Sequence, residues 1–167
     1  MYTIHATKKL LDRVRHPVGE ATAAPSTALG NWYANALFWK PQVALFLNGS
    51  TFLPVLVPLA PASSVTARFP EQLARVLDAL GVPGAFVRSE VEAMTSFGFA
   101  KTASRSLVGT MTEFAFMLDH ARDRGRSTED LVGLSTWLAH TPCGALRRGE
   151  RLPDLAVAAV VARTIGG

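Results

Sequence analysis

The chain has 167 residues, 49% of them hydrophobic and 18% charged, with a net charge of +4. That length supports one domain whose folding buries about 70% of the unfolded surface, and the composition excludes a chain disordered throughout. The longest apolar run, residues 52–61, is interrupted by Pro54, Pro58 and Pro61 and falls well short of the ~20 residues that span a membrane.

Lys8, Lys9, Asp12, Arg13 and Arg15 stand near the start with no apolar signal core after them, so no secretory leader is read and a cytoplasmic location without a membrane partner is expected. The single cysteine, Cys143, excludes an internal disulfide and a multi-thiolate zinc site. His5, His16, His120 and His140 lack metal-ligand spacing. Neither metal nor cofactor is expected. The modest positive charge favours an anionic partner.

Residues 1–6 alternate around Ile4 and predict a strand. Thr7 reads as the cap of a helix over 8–15, which ends before Pro17. Residues 17–28, rich in Ala, Thr, Pro, Gly and Ser, predict a mobile loop. Residues 31–39 and 42–48 then form a hairpin around Lys40-Pro41, and 51–57 a third strand. Both hairpin strands are apolar at nearly every position, which predicts a central place covered on both faces. Pro54 makes the third strand an edge strand or a bulged one.

The spacing of Phe69, Leu73, Val76, Leu77 and Leu80 predicts a helix over 69–80 closed by Gly81, and a shorter one covers 83–94. Phe97 and Phe99 alternate as in a strand within 95–101. A long helix follows from Ser104 to about Arg124, burying Leu107, Met111, Phe114 and Leu118. Helices over 129–139 and 153–164 complete the chain, with Arg147, Arg148 and Arg151 in the turn between them. The expected fold is a single α+β domain over 1–167. It has a small, mostly antiparallel sheet with a central hairpin, packed with four to six helices.

The commonest catalytic signatures are absent: no phosphate-loop glycine motif, no dinucleotide fingerprint and no nucleophile elbow. Three polar clusters remain. In the first, His5 is a candidate acid or base beside Thr7 and Lys8 at a strand-to-helix junction, where an anion would be attracted. The plain alternative is a cap with solvated lysines. In the second, Trp32 and Tyr33 could stack a ring while Asn48 and Thr51 hydrogen-bond a ligand; these types also serve as core and turn residues. In the third, Lys101, Thr102, Ser104, Arg105 and Ser106 gather at a helix start suited to a phosphate or carboxylate. Cys143 has no base beside it in sequence and reads as an inert thiol.

Four blocks stand out together: His5-Ala6-Thr7-Lys8-Lys9-Leu10, Gly30-Asn31-Trp32-Tyr33-Ala34-Asn35, Leu47-Asn48 with Thr51, and Arg105-Ser106-Leu107 followed by Gly109-Thr110-Met111. The set, spaced over residues 1–120 with a later Thr141-Pro142, resembles a family of small bacterial proteins of unknown function. The loop 17–28 is longer and richer in alanine than that family's pattern. The resemblance brings no activity. It implies that Thr7, Lys8, Asn48, Thr51 and Arg105 belong to one polar site.

The candidate ligand-binding residues are therefore His5, Thr7, Lys8, Trp32, Asn48, Thr51, Lys101 and Arg105. The expected function is a binding module for an anion such as nucleic acid or phosphate. Lys8 and Arg105, each after a hydroxyl residue, would hold the anion from two helix starts, with His5 at the rim. One alternative is a small hydrolase or nuclease using His5, Lys8 and Arg105. The other is a protein–protein adaptor, or a homodimer, using the apolar surface of 52–61 or 153–165.

Overall fold

In the first strand, β1 (Tyr2–Ala6), alternation sends Tyr2, Ile4 and Ala6 to one face and Thr3 and His5 to the other, and two cores form on those faces. The computed structural model describes residues 1–146 and 151–167. Within them α1 (Lys8–Val14), β2 (Trp32–Leu37), β3 (Val43–Asn48), β4 (Pro54–Pro58), α2 (Val65–Ala79), α3 (Gly84–Ala93) and β5 (Phe97–Lys101) follow β1. Then come α4 (Arg105–Asp123), α5 (Leu131–Ala139) and α6 (Pro153–Gly166). The strands form a five-stranded sheet in the order β4-β3-β2-β1-β5. Arg147 and Arg148 lie outside the described residues, and Arg151 is exposed.

The fold is α+β with a mixed sheet. β2–β3 and β3–β4 pair antiparallel, as the two short connections dictate. β1 pairs parallel with both β2 and β5. A parallel partner needs a crossover, and α1 with the loop after it provides one between β1 and β2. The hairpin of β2 and β3 is interior to the sheet and closed on both faces, as its continuous apolar run predicts. β4 lies at the edge, with Pro54 and Pro58 confined to its two ends.

One face of the sheet packs α1, α2, α3 and α6 around Phe69, whose ring stacks on Phe46 at 4.0 Å and meets Trp32 edge-on at 4.9 Å. The other face packs α4 through Leu107, Met111, Phe114 and Leu118. α5 closes the open edge of β4: Leu56 N–H donates to Ser135 Oγ (2.9 Å), and that hydroxyl donates to Leu131 O (2.7 Å). An edge amide that would otherwise invite another strand is thereby satisfied within the chain.

Helix boundaries follow the sequence closely, with three corrections. α2 begins at Val65, four residues before Phe69, and carries Pro70 inside it at the cost of one backbone bond. α5 begins at Leu131, capped by Asp130 Oδ1 on Gly133 N–H (2.8 Å), so Glu129 lies outside it. The Thr7 hydroxyl makes no cap bond to α1. The stretch 17–28, expected as a mobile loop, is fastened at several points. Gly19 N–H donates to Phe99 O (2.8 Å), Thr22 N–H to Thr3 Oγ1 (2.9 Å) and Ser26 Oγ to Ala93 O (3.0 Å). No helix among the described residues is long and apolar enough to cross a membrane.

Candidate functional site

Of the three parallel strands, β1 and β5 end side by side at Ala6 and Lys101, and β2 runs on to Leu37. The helix after β1 packs on one face of the sheet through Leu10, and the helix after β5 packs on the other through Leu107 and Met111. Chains that leave adjacent parallel strands in opposite directions open a crevice at their carboxyl ends, where open parallel sheets accept ligands. Thr7 and Lys8 follow β1 there, Lys101 ends β5 and Arg105 opens α4.

His5 ties the two strands at this end. Its Nδ1 lies 2.9 Å from Lys101 O. A carbonyl only accepts, so Nδ1 is the donor. The ring stacks on Tyr33 of the neighbouring strand at 4.6 Å and 17°. Nε2 has no hydrogen-bond partner among the described residues.

Thr7 has a different role from the expected cap. β1 leaves the sheet opposite Ala34, so the last residues of β2 lose a partner on that side. Thr7 N–H donates to Ala34 O (3.0 Å) and Thr7 Oγ1 donates to Asn35 Oδ1 (2.6 Å). The same Asn35 oxygen accepts from Ala36 N–H at 2.9 Å. A backbone N–H can only donate, which fixes the Asn35 amide with its oxygen inward and leaves the Nδ2 hydrogens without a partner among the described residues.

Lys8 is exposed and paired with Asp12 (2.8 Å), one turn along α1, a contact worth little at such exposure. Lys101 and Arg105 are exposed and make no ion pair among the described residues. Ser104 Oγ caps α4 on Leu107 N–H (3.3 Å). Arg105 lines a shallow groove of about 370 Å³ with Thr102, Ser104 and Val108, and neither His5 nor Lys8 borders it.

The polar set expected as one site is divided between the two ends of the sheet. Asn48 pairs with Trp32 at the amino end of β2, away from Thr7 and Arg105. Its Oδ1 accepts from Ser50 N–H, Thr51 N–H and Thr51 Oγ1, and its Nδ2 donates to Leu29 O (2.8 Å). Both residues are buried. They lock the β3–β4 turn to the chain entering β2 and leave no group open to a ligand. Trp32 is fully enclosed against Phe69, so its ring offers no face for stacking.

Cys143 is buried; burial pushes its thiol up to about 11, and the negative charge of Glu113 adds to the rise. A thiol so protonated at neutral pH is a poor nucleophile. No group of three or more His, Cys, Asp or Glu among the described residues is placed to hold a metal ion.

Sequence reasoning missed a second feature at this end. An open groove of about 500 Å³ crosses the end of β2 from Lys9 on α1 to Asp119 and Asp123 on α4, with Asn35, Phe38 and Trp39 between them. Trp39 Nε1 donates to Asp119 Oδ1 (3.1 Å), and the Arg122 guanidinium lies 4.6 Å from the Trp39 ring centre. In the sequence these aromatics look like one more piece of the hairpin core. Alternation gives no warning, since it puts Phe38 on the face of Ala34 and Ala36, which is itself core; Phe38 is exposed because it lies past the end of β2.

These features define an α+β domain whose mixed sheet has a switch point at the carboxyl ends of its parallel strands. The chain belongs to the family described as Domain of unknown function (DUF6933), whose model matches residues 3–155. No curated protein and no solved structure matches it.

Proposed function

We propose that the protein is a binding module for an anionic ligand, a phosphate or a phosphate-bearing molecule such as nucleic acid. The ligand is held at the carboxyl ends of β1, β2 and β5. One observation carries this reading: Lys8 at the start of α1, Lys101 at the end of β5 and Arg105 at the start of α4 all follow the carboxyl ends of the adjacent parallel strands β1 and β5. Arg105 supplies forked donors to an oxyanion, and the lysines supply mobile point charges. His5, oriented by Lys101 O, stands at the rim. A hydrolytic role would need His5, Lys8 and Arg105 around one pocket, and the groove at Arg105 is bordered by neither of the other two. Binding is therefore the reading that the geometry favours.

Thermal unfolding with phosphate, sulfate and short oligonucleotides tests it. The ligand should raise the melting temperature of the wild type, and raised ionic strength should reduce the effect. Arg105→Ala should respond much less. Equal shifts in both proteins would contradict a site at Arg105.

A further inference from the structure

The groove across the end of β2 is electrically polarised. At one lip stands Lys9, its ammonium 5.8 Å from the centre of the Phe38 ring. At the other stand the two carboxylates Asp119 and Asp123 against the single Arg122 guanidinium, a net acidic lip. Asp119 already accepts from Trp39 Nε1 and faces the Arg122 guanidinium at 3.5 Å, whereas Asp123 makes no ion pair among the described residues. A ligand lying along the groove therefore meets a cation at one end and hydrogen-bond acceptors at the other. Between them, Phe38 is 56% exposed, with the Lys9 ammonium over one side of its ring. Asn35 brings an amide fixed by two donors to its oxygen, with the Nδ2 hydrogens unused.

We infer that this groove is a nucleotide subsite: Lys9 pairs with the phosphate, Phe38 stacks the base, and Asn35 and Asp123 read the base's polar edge. The inference rests on the anion-binding reading and names its ligand class. A volume of about 500 Å³ suits a ligand of that size. An acidic far lip repels phosphate and accepts from an exocyclic amine, so the phosphate sits at the Lys9 end and amino-bearing bases are preferred to uracil. The groove lies at the carboxyl end of β2, so its phosphate end adjoins the cations that follow β1. The shared chemistry, a base carrying a phosphate, comes from either a free mononucleotide or a single strand.

Calorimetric titration of the full chain with AMP, UMP, ribose 5-phosphate, inorganic phosphate and a short single-stranded oligoadenylate tests this. AMP should bind at least about tenfold more tightly than ribose 5-phosphate, the gain that stacking a base supplies, and more tightly than UMP. Phe38→Ala replaces an exposed side chain, so the fold should survive. This variant should bind AMP no better than ribose 5-phosphate while keeping the wild-type response to phosphate. Oligoadenylate binding more tightly than AMP marks the source as a strand; equal affinity marks it as a mononucleotide. If AMP binds no better than ribose 5-phosphate while phosphate still binds, the nucleotide subsite is overturned and the anion reading stands. If Phe38→Ala leaves AMP binding unchanged, the stacking role is overturned. If none of the five ligands binds, both readings fall.

Discussion

At Glu90 a single buried carboxylate ties the loop before β2 to α3. Its two oxygens accept from Ala28 N–H (2.8 Å) and Leu29 N–H (3.1 Å). Burial raises its pKa above the usual carboxyl value, and the two backbone donors only partly oppose the rise. A group that holds its proton more tightly folded than unfolded favours the fold at low pH. That contribution is lost as pH climbs through the folded value. Wild type should therefore lose stability relative to Glu90→Gln as pH rises from the usual carboxyl range through the raised folded value. Urea unfolding of both proteins across that range checks the sign; a gap independent of pH would mean that Glu90 titrates normally. Removing one acceptor also leaves a backbone N–H short of a partner, so Glu90→Gln should be the less stable protein at low pH, by about 1–3 kcal/mol. Glu90 falls on the buried side of an amphipathic helix, and nothing in the sequence says which distant amides it meets.

At the scale of elements, α4 anchors the second core with one side of its length. Phe114 is 1% exposed there, among Leu107, Met111 and Leu118. Phe114→Ala should cost about 3–5 kcal/mol, as buried aromatics do, read as a shift of the urea midpoint at constant slope. A loss below about 1 kcal/mol would place the ring outside the core. This helix was legible because its apolar stripe repeats at helical spacing over many turns. The hairpin of β2 and β3 was legible because a short proline break separates two apolar runs. The parallel pairing of β1 was not: strand patterning shows which face is buried, not which neighbour a strand takes or in which direction. The start of α2 was hidden by Pro70, which reads as a boundary and lies inside the helix. The loop 17–28 looked unfastened because its anchors, Thr3, Phe99, Ala93 and Glu90, come from other elements.

For the whole molecule, the cations at the carboxyl end of the sheet could be found in sequence because each stands at a strand–helix junction. Their placement beside a switch point could not, since it depends on α1 and α4 choosing opposite faces. Asn48 and Thr51 carried the same kind of polar signal and turned out to serve a turn, buried and satisfied. Polar residues at hairpin ends bind ligands or bind their own backbone with the same groups, and only the fold distinguishes the two. Phe38 and Trp39 went the other way: aromatic residues that resemble core, both of them lining an open groove. The central claim is that an anion binds at the carboxyl ends of β1, β2 and β5. Amide chemical-shift mapping of isotope-labelled protein during a phosphate titration measures this most directly. Shifts that saturate and cluster at Thr7–Lys9 and Lys101–Ser106 are predicted. No saturable shift, or shifts confined to the Asn48–Thr51 end, would contradict it.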